Sequence, residues 1–269
     1  MDSLRSILVH LDAGRHAAAR LALARTLAAR HEARMTALFA VVPAVFGALP
    51  APQATEARHR DTARALFDRS AAAGGWPMQW AEVTSERPVA EFAGRALHTD
   101  LLVLGQRDPH DERAFDLPVD FVEAVLTTSG KPAIVVPHHA RAAFDGFGTI
   151  LVAWHPGREA AAALTAALPL LQRANEVQLV TWGDDAAALA DLQERVCDHL
   201  RLHDVHGVQC RHGPLPAAPG PALLALAEGL GADLLVMGCY GHSRTRELAL
   251  GGVSRSVLHE ADLPLLMAH

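Results

Sequence analysis

The stretch "VMGCYGHSRTRELALGGVSRSVL", residues 236–258, carries the strongest chemistry in the chain. An apolar run ends at Gly238, Gly241 follows, and the pair Gly251 and Gly252 leads into Ser254 and a helical pattern. Glycine lets a backbone approach a ligand closely or take positive φ. A helix start offers unpaired N–H groups and the positive end of a dipole, which together suit an anion. The Ser254 hydroxyl adds a donor for a phosphate oxygen. The pattern therefore points to a polyphosphate held by backbone and hydroxyl groups. Arg244 and Arg246 lie between the glycines, within reach of such a ligand, and His242 and Ser243 flank Gly241. The alternative is that all four glycines are turns and helix punctuation.

A phosphate site of this kind needs an apolar strand before it and a helix after it, and the chain supplies both twice. "SILVHLDAGRHAAARLALARTLAARHEARMTALFAVV" is answered by "TILVAWHPGREAAAALTAALPLLQRANEVQLVTW". "TDLLVLGQRD" is answered by "ADLLVMGCYG", and "VEAVLTTSGKPAIVVPH" by "SRSVLHEADLPLLMAH". The seam is "PHHARAAFDGFG", which places the domains at 1–137 and 148–269.

In the second half "TILVAW", "VQLVTW", "VQCR" (the weakest), "DLLVMG" and "LPLLMAH" read as strands. The runs between them, such as "REAAAALTAALPLLQRA" and "DAAALADLQERVCDHLRL", have helical spacing. In the first half "VVPAVFGALPAPQATEARHR" reads as a long loop entering a helix. Near-continuously apolar strands alternating with helices predict parallel sheets covered on both faces. The fold class is α/β, as two doubly wound five-stranded domains in tandem. In such sheets ligands sit beyond the carboxyl ends of the strands, where the strand order reverses.

Bulk properties narrow the function. Of 269 residues, half are hydrophobic and a fifth are charged, which argues for a packed core. A net charge of -6 speaks against nucleic-acid binding. No secretory leader or membrane-length apolar run is visible, so a soluble cytoplasmic protein is expected. The three cysteines lack metal or disulfide-framework spacing. His199 and His203 lie at i and i+4 near Cys197, but no further zinc ligands converge locally. No nucleophile elbow, metalloprotease helix or Walker A loop is present.

The glycine spacing G-x2-G-x9-G, with "GHSRTRE" and "VSRSVL", resembles the nucleotide-binding pattern of the universal stress protein family, and the resemblance extends over both halves. It implies adenine nucleotide alpha hydrolase-like domains and ATP, with or without magnesium, bound through Gly238, Gly241, Gly251, Gly252 and Ser254. It also implies base contacts from the backbone near Val180 and Thr181. The two halves are expected to pair through their last strands, as a pseudo-dimer within one chain or a dimer of chains, with an unidentified protein partner.

The chain departs from the family pattern in two places. Gly252 stands where the family has Ser or Thr, and His155 stands where it has an acid at the end of the first strand; as a cofactor-binding residue His155 can hydrogen-bond a nucleoside hydroxyl but supplies no carboxylate. In the first half that acid is kept as Asp12, but Asp108, Val119 and Asp120 replace the glycines. Carboxylates there would repel a phosphate, so the first half is expected not to bind ATP, and Asp12 to cap the following helix. Three functions compete: a stress-response protein binding ATP in its second half, with or without slow hydrolysis; an ATP-independent interaction or chaperone-like protein; and an enzyme using Asp12 and His10.

Overall fold

The computed structural model describes residues 4–41, 53–111, 117–139, 144, 146–240 and 252–269. The chain divides into two compact units, Ser3–Asp145 and Gly146–His269.

The N-terminal unit contains β1 (Ser6–Leu11), α1 (Ala17–His31), β2 (Arg34–Val41), α2 (Gln53–Ala72) and β3 (Met78–Thr84). It continues with α3 (Pro88–Ala96), β4 (Leu101–Gly105), α4 (Phe121–Ser129) and β5 (Ala133–Val136). Its strands run parallel in the order β3-β2-β1-β4-β5. The order reverses beside β1, so the carboxyl ends of β1 and β4 flank the crevice.

The C-terminal unit repeats this plan. It comprises β6 (Thr149–Ala153), α5 (Arg158–Leu171), β7 (Glu176–Trp182), α6 (Ala186–Leu202) and β8 (Gln209–Gly213). Then come α7 (Pro219–Gly229), β9 (Leu234–Gly238), α8 (Val253–Glu260) and β10 (Leu265–Ala268). The parallel order is β10-β9-β6-β7-β8, with the reversal beside β6.

Hydrophobic burial holds each sheet. Leu101, Leu102, Val103 and Leu104 of β4 are wholly buried, as are Leu234 and Leu235 of β9. Each such side chain contributes roughly 1.5–3 kcal/mol relative to exposure. In α5 the residues Ala160, Ala163, Leu164, Ala167, Leu168 and Leu171 form the buried stripe, at the spacing of one helix face. Both units fasten the amino ends of their strands in the same way. Asp100, before β4, accepts the Arg5 and Ser6 amides at 2.8 and 2.9 Å. Asp233, before β9, accepts the Gly148 and Thr149 amides, both at 2.9 Å.

One feature differs from expectation. Helix α1 begins after His16 with no side-chain cap, so Asp12 does not cap it. Asp12 Oδ1 instead accepts the Gly14 amide at 2.9 Å, a tight turn ahead of the helix. Among the described residues no helix is long and apolar enough to cross a membrane.

Candidate functional site

In the N-terminal unit the crevice is filled with the protein's own charges. Arg20 of α1 sits on the buried stripe with Ala17, Leu21 and Ala24. Its Nε donates to the His10 carbonyl at 2.6 Å, and Nη2 lies 2.8 Å from Asp12 Oδ2. Gly105 makes room for it, since a Cβ there would run into the Arg20 guanidinium. Burial alone would raise the Asp12 carboxyl. Arg20, His10 and the Gly14 amide more than offset that and hold it below its ordinary value. Burial drives the His10 imidazole the other way, down to about 4, with Asp12 opposing and Arg20 assisting. His10 is therefore neutral at pH 7.

Asp108, which stands where the second half has Gly241, and its neighbour Asp111 turn their carboxylates onto the start of α1. Asp111 Oδ2 accepts the Arg15 amide at 2.7 Å, just ahead of α1. Asp108 Oδ2 meets His16 Nε2 at 3.1 Å and Arg15 Nε at 3.7 Å, and Asp108 Oδ1 accepts the His110 amide at 2.8 Å. Burial opposes the charge on Asp108, but the His110 amide, His16 and Arg15 hold its carboxyl below the ordinary range. The amide and cationic groups at this crevice are thus satisfied internally.

Among its described residues the C-terminal unit lacks this filling. In the repeat, His155 stands opposite Asp12 and Ala163 opposite Arg20, so neither half of the buried ion pair is present. His155 is exposed. Gly238 ends β9, and a Cβ there would lie 2.5 Å from the Ala160 amide nitrogen and 2.6 Å from the Glu159 carbonyl carbon. Its smallness lets the first turn of α5 settle against the strand. That turn is further fixed by an Arg158–Glu159 pair at 2.6 Å. This pair, with burial opposing and His269 assisting, holds the Glu159 carboxyl below its usual value.

Beyond Gly238, the Tyr240 amide donates to Ser254 Oγ at 3.3 Å, which brings the end of β9 to the first turn of α8. Gly252, preceding α8, has φ +51, the left-handed region that glycine enters most cheaply. Among the described residues no side chain caps α8. Gly241, His242, Ser243, Arg244, Arg246 and Gly251 lie outside the described residues.

Val180 and Thr181, where the resemblance places backbone contacts to the base, are both buried. The Val180 carbonyl accepts the Trp154 amide at 2.9 Å, as part of the β6–β7 ladder. The polar groups at this edge are instead Trp154 and Thr181, one register step beyond the Ala153–Val180 pair. Trp154 Nε1 and Thr181 Oγ1 are both buried and without a hydrogen-bond partner among the described residues. Thr181 is only 2% exposed. An unsatisfied buried polar group costs roughly 1–3 kcal/mol. In the sequence Trp154 reads only as the end of the strand "TILVAW". Its signal was the polar tip of an aromatic at the carboxyl end of the first strand.

Among the described residues no group of three or more potential ligands could hold a metal ion. His199 and His203 stack edge-on with ring centroids 4.7 Å apart.

Two parallel α/β units, each with a crevice at its strand reversal, define a tandem doubly wound α/β class of protein. The universal stress protein family profile matches residues 146–269, the C-terminal unit. The chain is similar to Universal stress protein Slr1230 of Synechocystis, with 27% identity over 180 residues. That match covers 62% of this chain and 57% of the relative's length. The fold is also that of the crystal structure of a universal stress protein from Archaeoglobus fulgidus, at a TM-score of 0.75 and 18% identity. There the match covers 99% of this chain and 96% of the other.

Proposed function

We propose that the C-terminal unit binds an adenine nucleotide, ATP, and that the N-terminal unit does not. The observation that carries this reading is the pair of buried polar atoms, Trp154 Nε1 and Thr181 Oγ1, left without partners at the carboxyl ends of adjacent strands. Indole N–H is a donor and a threonine hydroxyl is both donor and acceptor, a combination suited to the mixed edge of a base or to ribose hydroxyls. The phosphates then fall toward the start of α8, where Ser254 and the amides after Gly252 supply donors. Magnesium would arrive on the phosphates, with no protein ligand cluster required of it.

The contrast with the N-terminal crevice supports the assignment. There Asp108 and Asp111 already occupy the donors, and Arg20 occupies the space beside Gly105. Binding in the C-terminal unit alters the surface offered to a protein partner in the cytoplasm, by shifting the population of its conformers. A second reading, an ATP-independent interaction protein, draws on Gly238, whose smallness is already accounted for by α5.

The test begins with denaturing freshly purified chain and analysing the cleared supernatant for adenine nucleotides, followed by calorimetric titration with ATP with and without magnesium. About one nucleotide per chain supports the proposal. An empty supernatant and no heat of binding overturn it in favour of the second reading.

A further inference from the structure

A second reactive centre lies away from the crevice, between α6 and the edge strand β8. Cys197 of α6 and Cys210 of β8 bring their sulfur atoms to 3.2 Å without a bond. A disulfide needs sulfurs ~2 Å apart, so about 1 Å of side-chain adjustment would close it. Cys197 is buried and Cys210 exposed. Both line a cavity of about 500 Å3, with Gln193, Glu194, Arg201 and Val208 among its walls. Its size and mixed walls suit a small peptide-like thiol compound rather than a macromolecule.

We propose that Cys197 and Cys210 form a dithiol exchange site for low-molecular-weight disulfides of the glutathione class, seated in this cavity. The roles of the two sulfurs follow from their surroundings. Burial, and then the hydrogen bond to Cys210, push the Cys197 thiol up to about 12, so it keeps its proton at neutral pH. Cys210 is the sulfur that an incoming R–S–S–R can reach.

The Cys210 thiol gives its proton to water, and the thiolate attacks one sulfur of R–S–S–R. The R–S–S–R bond breaks, a mixed disulfide forms on Cys210, and RS⁻ departs. That RS⁻ takes the Cys197 proton as Cys197 attacks, capping of Cys210 having removed the lesser of the causes that raise this thiol while its burial remains. This attack on the Cys210 sulfur forms the internal disulfide and expels a second RS⁻, which is protonated by the solvent. Two protein thiols are oxidised, and one R–S–S–R is reduced to two RSH. The product ties α6 covalently to the edge of the sheet.

Cys239 provides an internal control. It is buried, and its thiol donates to the Ala268 carbonyl at 3.3 Å. The full chain is incubated with oxidised glutathione, quenched in acid, alkylated and mapped by peptide mass. The wild type is expected to yield a Cys197–Cys210 disulfide with Cys239 alkylated. C197S is expected to stop with glutathione on Cys210, and C210S to react at least tenfold more slowly than the wild type. A wild type that keeps all three cysteines alkylated, or holds glutathione on Cys210 with no internal bond, overturns the proposal. So does a C210S chain oxidised as fast as the wild type. None of these readouts depends on nucleotide binding.

Discussion

The Arg20 guanidinium stands 2.8 Å from the Asp12 carboxylate, with the two side chains only 5% and 18% exposed. Removing one member of such a pair leaves the other charge buried alone, which costs about 3–5 kcal/mol. R20M is therefore expected to lower the urea midpoint of the chain sharply, and R20M/D12N to recover much of the loss. Equal midpoints for the single and double variants would show that the charge pair is not the source.

His10 sets a pH dependence in the same unit. Its pKa falls from 6.5 to about 4 on folding, so between these values the unfolded chain binds more protons than the folded one. Its contribution is complete above pH 6.5 and is lost as pH falls toward 4, by about 3 kcal/mol in all. Asp12, held below its ordinary value, gives up its contribution at lower pH still. Urea midpoints measured from pH 7 to pH 4 should fall steadily, and H10Q should flatten the upper part of that slope.

Thr181 separates ligand binding from stability. T181V deletes a buried hydroxyl that has no partner among the described residues. Nucleotide-free chain should be unchanged or up to about 1 kcal/mol more stable, while ATP affinity falls about tenfold. Calorimetry alongside thermal unfolding reads both. Unaltered affinity would remove this hydroxyl from the proposed base site.

Gly238 makes the opposite prediction. The Cβ of G238A would press on backbone atoms of Glu159 and Ala160, which cannot swing aside as a side-chain tip can. A loss of about 2–3 kcal/mol is expected from overpacking. G252A should cost about 1–2 kcal/mol, through its left-handed φ rather than through contact. Urea unfolding of both variants without nucleotide gives the comparison, and a smaller effect at 238 than at 252 would contradict the packing account.

The strand–helix order was legible in the sequence because the buried strands are near-continuously apolar and every helix carries a periodic stripe. β8 was the weakest strand to read because Gln209, Cys210, Arg211 and His212 are all exposed, which leaves no hydrophobic pattern. The N-terminal crevice was legible as unfit for phosphate, but not as internally paired. The partners of Asp108 and Asp111, namely His16 and Arg15, lie more than ninety residues away in the chain. A local clue did exist in Arg20, a charged residue on the otherwise apolar face of α1. The Cys197–Cys210 approach was hidden in the same way, since thirteen residues and a turn separate the two.

The paired clamps at Asp100 and Asp233 have a consequence for how this duplicated chain can change. They fasten the amino ends of the strands, while Asp12, Asp108, Trp154 and Thr181 all lie at the carboxyl ends. One rim of each sheet is thus a fixed hem shared by both copies, and the other is where the copies have been retailored. A chain whose second-half carboxyl-end turns are grafted onto the first half keeps both hems. It has a sound frame on which to acquire, or lose, a crevice without learning a new fold.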